Sequence, residues 1–383
     1  MIRRLRRQTS SQVIQPCFVG FQGDCLQSFV QPTTTYVPAD FSFSNRFLEV
    51  PPRIIKNEEY KAMKTVLVDN SLCAFTLRDD AEPEHIYNYI RALGEAGVRY
   101  VELDFRTLMK LGKLPRGVGY IFRLVDPMFM SLTELYDFDY MLLTFPDLRK
   151  NIKTPIPVML GFPDNIEPSN KAYQYARHLL DGEITAVRIR RSFDMMSHGE
   201  AFGYVNYLKN IFPVPIDICP TNEGKTALDC AVKLSAANID TLTLTMGHPE
   251  RFCSLDEYLF TLLTVFDRLP NEYNLSALCK VSVFQRFIFR NCSGDEMLRM
   301  MDLLDHDIHF LRNVDTGGRV PLRVTLKAAA YLQKTFVSAL DKMAREEEIP
   351  EDVFEDLREA MNRFDVSFFN ENILRNKRRT FLN

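Results

Sequence analysis

Proton transfer and carboxylate recognition in this chain would fall to a few polar residues that lie in, or just beyond, short apolar runs. Asp69 ends Val66-Leu67-Val68-Asp69, Glu102 and Asp104 lie in Tyr100 to Asp104, and Arg188 and Arg190 lie in Ala186 to Arg190. Thr245 and His248 lie in and just beyond Thr241 to Met246. Carboxylates and imidazoles are common general acids and bases, and an arginine can grip a carboxylate with two parallel hydrogen bonds. Asp69, Glu102, Asp104 and His248 are therefore the catalytic candidates, with Arg188, Arg190 and Thr245 as substrate-binding candidates. Successive side chains of a strand point to opposite faces. If Val101, Leu103 and Phe105 pack outward on helices, Glu102 and Asp104 turn inward; Val187 and Ile189 likewise send Arg188 and Arg190 inward. Buried charges need partners, so an interior ion-pair network among these four competes with the binding of a substrate carboxylate.

The elements that would position these residues recur with regularity. Strand-length apolar runs are Val66 to Asp69, Tyr100 to Asp104, Gly119 to Val125, Tyr140 to Thr144, Val158 to Phe162, Ala186 to Arg190, Pro215 to Cys219 and Thr241 to Met246. Helical periodicity separates many of them, most clearly at Glu82 to Ala96, Ser169 to Leu180, Gly199 to Ile211, Gly224 to Ala237 and Leu255 to Leu269. Strands alternating with helices in this number predict an α/β fold, a TIM (β/α)8 barrel, with a doubly wound open sheet as the competitor. Residues 1–63 read as a basic and extended N-terminal arm, 64–269 as the barrel, and 270–383 as a helical C-terminal region with helices at Asp295 to Leu304, Leu322 to Glu347 and Glu351 to Phe364.

Composition narrows the class of function. The 383 residues are 46% hydrophobic and 25% charged, with no uncharged apolar window long enough for a membrane span. A formal net charge of −3 argues against a general nucleic-acid binder. The eight cysteines contain no Cys-x-x-Cys pair and several sit in apolar runs, as reduced buried thiols do. A cytoplasmic location follows, or a mitochondrial one if Met1 to Gly23, with four arginines and no acid, is a transit peptide.

Three segments resemble the HMG-CoA lyase-like superfamily, the DRE-TIM metallolyases that include isopropylmalate synthase, homocitrate synthase and HMG-CoA lyase. They are Val68 to Phe75, the block Gly94-Glu95-Ala96-Gly97-Val98-Arg99-Tyr100-Val101-Glu102, and Asp217 to Tyr258. The family's first motif, Asp-x-Thr-Leu-Arg-Asp-Gly, is matched by Asp69, Ser71 and Leu72, while Cys73 stands for the catalytic Arg, Ala74 for the metal-binding Asp and Phe75 for the Gly. Thr76-Leu77-Arg78-Asp79-Asp80 repeats the motif too far from the strand and reads as a polar loop. Glu102 matches the family's Glu on the second strand. For the His-x-His of the seventh strand, a gap-free match on Gly224 gives Ile218 and Pro220, and a one-residue slip gives Asp217 and Cys219; the gap-free match is preferred. Gly247-His248-Pro249-Glu250-Arg251 keeps the Gly and the Glu-Arg of the last motif but lacks its Gly-Asn.

The resemblance implies an aldolase- or Claisen-type lyase or acyltransferase acting on a keto-acid or acyl substrate, in a homodimer. The substitutions imply a rebuilt site with no metal and no cofactor. A catalytically silent barrel that binds a small carboxylate or a protein partner is the alternative. No nucleic-acid or membrane partner is expected.

Overall fold

The computed structural model describes residues 65–145, 148, 152–223, 226–247, 251–266, 273–290 and 322–363. The expected arm at 1–63, the helix at Asp295 to Leu304, Gly224 and His248 lie outside them. Eight strands form the barrel: β1 (Val66–Asp69), β2 (Tyr100–Leu103), β3 (Gly119–Arg123), β4 (Tyr140–Thr144), β5 (Val158–Phe162), β6 (Ile184–Ser192), β7 (Ile216–Thr221) and β8 (Thr241–Leu244). Every pairing is parallel, and β1 closes the ring between β2 and β8, with Val66 opposite Thr241 and Val68 opposite Tyr100. Closure decides for the barrel and against the open sheet. It also leaves the barrel itself without an open strand edge; a separate two-stranded parallel sheet pairs Ile152–Lys153 with Leu180–Asp181.

The helices are α1 (Ser71–Ala74), α2 (Pro83–Glu95), α3 (Phe105–Leu111), α4 (Leu132–Leu135), α5 (Asn170–Leu179), α6 (His198–Ile211), α7 (Ala227–Ala236), α8 (Leu255–Phe266), α9 (Leu275–Ile288), α10 (Leu322–Arg345) and α11 (Glu351–Arg363). Local chemistry sets their ends. Pro83 opens α2, whose Ile86, Tyr89, Ile90 and Leu93 form one buried stripe. Gly97, at φ 102°, then reverses the chain toward β2, a conformation that favours glycine. Ser197 and Glu200 make a reciprocal capping box at the start of α6. Among the described residues no helix is long and apolar enough to cross a membrane.

Residues beyond 270 take part in the wall of the barrel. Asn274 caps α9 by accepting from the Ser276 and Ala277 amides, and α9 packs along α2. Leu77 and Phe289 form an antiparallel bridge, reinforced by Arg78 N–H donating to the Ile288 carbonyl at 2.9 Å. The loop after β1 is thereby tied down by a segment two hundred residues away in sequence. α10 in turn packs on α8 and α9.

The lumen has two layers. Val68, Ile121, Leu142, Met159 and Ala186 fill it near the strand starts, with Tyr100 and Tyr140 against them. The next inward positions toward the strand ends are polar. At the base, a Cβ on Gly119 would lie 2.5 Å from ring carbons of Tyr100 and 2.6 Å from Asp139 Oδ2. Tyr100 itself stands edge-on to Tyr140 at 5.6 Å, so it has little room to yield. Gly119→Ala is therefore expected to cost about 1–3 kcal/mol through overpacking. The check is chemical denaturation; an unchanged midpoint would contradict this account of the base.

Candidate functional site

A buried network of charges forms the polar layer. Arg188, on β6, donates through Nε to Asp217 Oδ2 on β7 at 2.5 Å and through Nη1 to Glu102 Oε2 on β2. Thr243, on β8, donates its hydroxyl to the same Asp217 oxygen at 2.7 Å. Arg123, at the end of β3, lies 3.5 Å from Glu102 Oε1. Burial alone would raise the Glu102 carboxyl, but the guanidinium groups of Arg188 and Arg123 outweigh it and hold the group below its ordinary value. Glu102 is thus an ionised carboxylate clamped between two arginines. Arg188 Nη2, Asp217 Oδ1 and Thr221 Oγ1 are buried without a hydrogen-bond partner.

Asn70 and Cys73 complete the rim. Asn70 accepts from Thr245 Oγ1 at 2.5 Å and directs its amide at Cys219 Sγ, 3.9 Å away. Burial, and after it the charge of Glu102, pushes the Cys73 thiol well above its usual range. It is a neutral thiol and not a ready nucleophile.

The lumen keeps some of the expected residues and rejects others. Glu102, Arg188 and Thr245 face it; Arg190 lines its mouth and pairs with Asp164 at 3.6 Å. Asp104, expected to point inward, instead caps α3, where Oδ1 accepts from the Thr107 amide at 3.0 Å and from its hydroxyl at 3.2 Å. The strand ends at Leu103, so its alternation no longer governs residue 104. Asp69 faces the helix layer, since Val68 takes the inward position. Its carboxylate accepts from the Ser71 hydroxyl and amide at 2.5 and 3.2 Å, from the Met246 amide at 3.3 Å and from Tyr89 on α2 at 3.5 Å. On β7 the inward residues are Asp217 and Cys219, while Ile218 packs among the helices, so the gap-free match does not supply the lumen-facing pair. Arg78, in the repeated motif, pairs with its neighbour Asp80 at 2.9 Å on the surface. His248 lies outside the described residues.

Arg123, Asn70 and Cys73 were not identified as site residues from the sequence. Arg123 carried a usable signal, because it is the charged end of an otherwise apolar strand, on the same alternation face as Ile121. Asn70 carried none. Its direction depends on where β1 stops.

The mouth of the lumen is nearly closed. Its cavity, bounded by Arg123, Arg188, Arg190, Phe162 and Phe252 among others, measures about 30 Å³. Small-molecule sites run to roughly 300–1,000 Å³. Residues 251–254 form a strap over it: Asn222 N–H donates to the Arg251 carbonyl at 2.9 Å, Cys253 N–H to Pro220 at 3.1 Å, and Thr245 N–H to Cys253 at 3.0 Å. The strap places Phe252 in the lining of the same cavity as the arginines, bridged to Thr221. A larger cavity of about 640 Å³ lies at the opposite end, between Arg99, Arg116 and Tyr136, away from this network.

The donor set does not fit the divalent ion that the resemblance implies. Cys73 and Ala74 stand at the first motif, and both Glu102 and Asp217 are engaged by the guanidinium of Arg188. Among the described residues, no group of three His, Cys, Asp or Glu side chains converges on a point that could hold a metal.

No family model and no curated protein matches this chain. Solved structures that resemble it include the HMG-CoA lyase of Bacillus subtilis, with 11% identity over 58% of this chain and 93% of that one, at a TM-score of 0.43. The hydroxymethylglutaryl-CoA lyase of Pseudomonas aeruginosa aligns at 11% identity over 58% and 92%, TM-score 0.43. The carboxyl transferase domain of Rhizobium etli pyruvate carboxylase aligns at 10% identity over 78% and 65%, TM-score 0.44. The barrel is established by its own strand order, and likeness at this level adds nothing about chemistry.

Asp69 gives the site a measurable pH signature. Burial raises its carboxyl from 3.8 to about 7 against the lowering effect of the Ser71 and Met246 hydrogen bonds. The folded chain then holds this proton more tightly than the unfolded chain, so its contribution to stability is complete at low pH and is lost as pH rises from about 4 to about 7. Glu102 acts in the opposite sense and only below its ordinary 4.5, so the two windows separate. Asp69→Asn is expected to flatten the fall in unfolding free energy across the upper window, measured by urea titration at several pH values. Parallel profiles for the two proteins would refute the assignment.

Proposed function

We propose that this chain is a diverged barrel of the HMG-CoA lyase-like type that binds a small carboxylate at the arginine-lined mouth, without metal-dependent carbon–carbon chemistry. The observation that carries this is Arg188 Nη2, buried without a partner in a side chain otherwise committed to Glu102 and Asp217. Arg123 and Arg190 line the same cavity, so a carboxylate entering it would meet three guanidinium groups. Acid–base machinery is sparse around them. Asp104 is spent on a helix cap, Asp69 faces away, and Glu102 is held as a salt-bridged carboxylate.

Admission of a ligand requires the strap carrying Phe252 to move, because a cavity of about 30 Å³ holds little more than a water molecule. Calorimetric titration with acetate, malonate and succinate is the test. Saturable binding should weaken about tenfold or more in Arg123→Gln or Arg190→Gln, the loss of a charge-assisted hydrogen bond. It should strengthen or accelerate in Phe252→Ala. Absence of binding to both the native chain and Phe252→Ala would end this reading.

The presence of an ionised Glu102 in the lining of the cavity favours a second reading, a metal-independent lyase or acyltransferase with Glu102 as the proton acceptor. Carbon–carbon cleavage in chelator-treated buffer that Glu102→Gln abolishes would establish it over the first.

A further inference from the structure

Two buried carboxylates from strands far apart in sequence share one cation in this lumen. The side chains of Glu102 and Asp217 are 2% and 1% exposed, and Arg188, at 6%, spans them, Nη1 to the first and Nε to the second. Thr243 adds a hydroxyl on Asp217, and Arg123 adds a second guanidinium at the other oxygen of Glu102. Formal charge is thus 2− on the carboxylates and 2+ on the arginines, the charge a single divalent ion would bring. A carboxylate pair of this kind cannot stay ionised in a desolvated lumen without such compensation.

We propose that Arg188 is the built-in counter-cation of a latent divalent-cation site formed by Glu102 and Asp217, and that its guanidinium and a metal ion exclude one another there. Exclusion follows from charge and space. An ion placed between the carboxylates would sit within a few ångströms of a guanidinium that already occupies them, in surroundings that screen poorly. Removal of the guanidinium has the opposite effect: it opens room between two carboxylates and leaves them short of positive charge. The donors then exposed are oxygens, from Glu102, Asp217 and the Thr243 hydroxyl, which suit hard cations such as manganese, magnesium or calcium. The departures at Cys73 and Ala74 and the arginine at position 188 become parts of one replacement: the protein carries its positive charge on a side chain.

Manganese is the probe. Native protein, Arg188→Ala and the triple variant Arg188→Ala/Glu102→Gln/Asp217→Asn are compared by thermal melting in chelator and in manganese, and free manganese is counted by electron paramagnetic resonance. Arg188→Ala should melt several degrees below native protein in chelator, bind one equivalent of manganese and recover part of the loss. Native and triple-variant proteins should bind none in the lumen and show no such recovery. An Arg188→Ala chain that folds only in manganese supports the proposal equally. Tight binding of one equivalent by native protein overturns it, as does an equal response of the triple variant. If Arg188→Ala stays unfolded under both conditions, Arg188→Gln is measured in the same way, and the lack of a manganese response in both overturns it. These outcomes do not depend on carboxylate binding at the mouth, which is read on Arg123 and Arg190.

Discussion

The guanidinium of Arg188, held between Glu102 and Asp217, is the interaction around which the upper half of the barrel is arranged. It joins β2, β6 and β7 across the lumen. Each of these charges would be prohibitively costly alone in a desolvated interior, and each is tolerable because the others are present. The arrangement fixes what else can happen there. Glu102 remains ionised, Thr243 turns its hydroxyl toward Asp217, and Arg123 leans toward the free oxygen of Glu102.

Around that centre, loops shape access more than chemistry. The strap at residues 251–254 hydrogen-bonds both to the end of β7 and to Thr245 beyond β8, so Phe252 is held by backbone contacts rather than by its own packing alone. Asn70 links Thr245 to Cys219 and ties the end of β1 to the same rim. On the outside, Asp69 collects the Ser71 and Met246 donors, and α9 with Phe289 pins the loop that follows. Two layers of support therefore hold one closed mouth.

Much of this was written in local pattern. The runs at Val66 to Asp69, Tyr140 to Thr144 and Val158 to Phe162 coincide with β1, β4 and β5, because a strand buried on both faces must be apolar along its length. Alternation placed Glu102, Arg188 and Arg190 correctly, since those residues lie within regular strand or at its well-ordered end. It failed at Asp104, one residue past β2, where a free helix N-terminus competes for the carboxylate and wins. It could not choose between Ile218 and Asp217, because a shift of one residue reverses every direction.

By itself, then, the sequence determined the eight barrel strands in their order and helices such as α2, α5 and α6, all of which depend on neighbours within a few positions; it did not disclose α9 at Leu275–Ile288 or the short sheet that pairs Ile152–Lys153 with Leu180–Asp181. The tertiary structure alone decided that the sheet closes, that Asp217 and Cys219 are the inward pair on β7, that Arg123 joins the network, and that Phe252 covers the mouth. The physical reason is range. Hydrogen-bonded periodicity is local, whereas a buried charge finds its partner across the barrel, and Arg188 reaches Glu102 over 86 positions of sequence to do so.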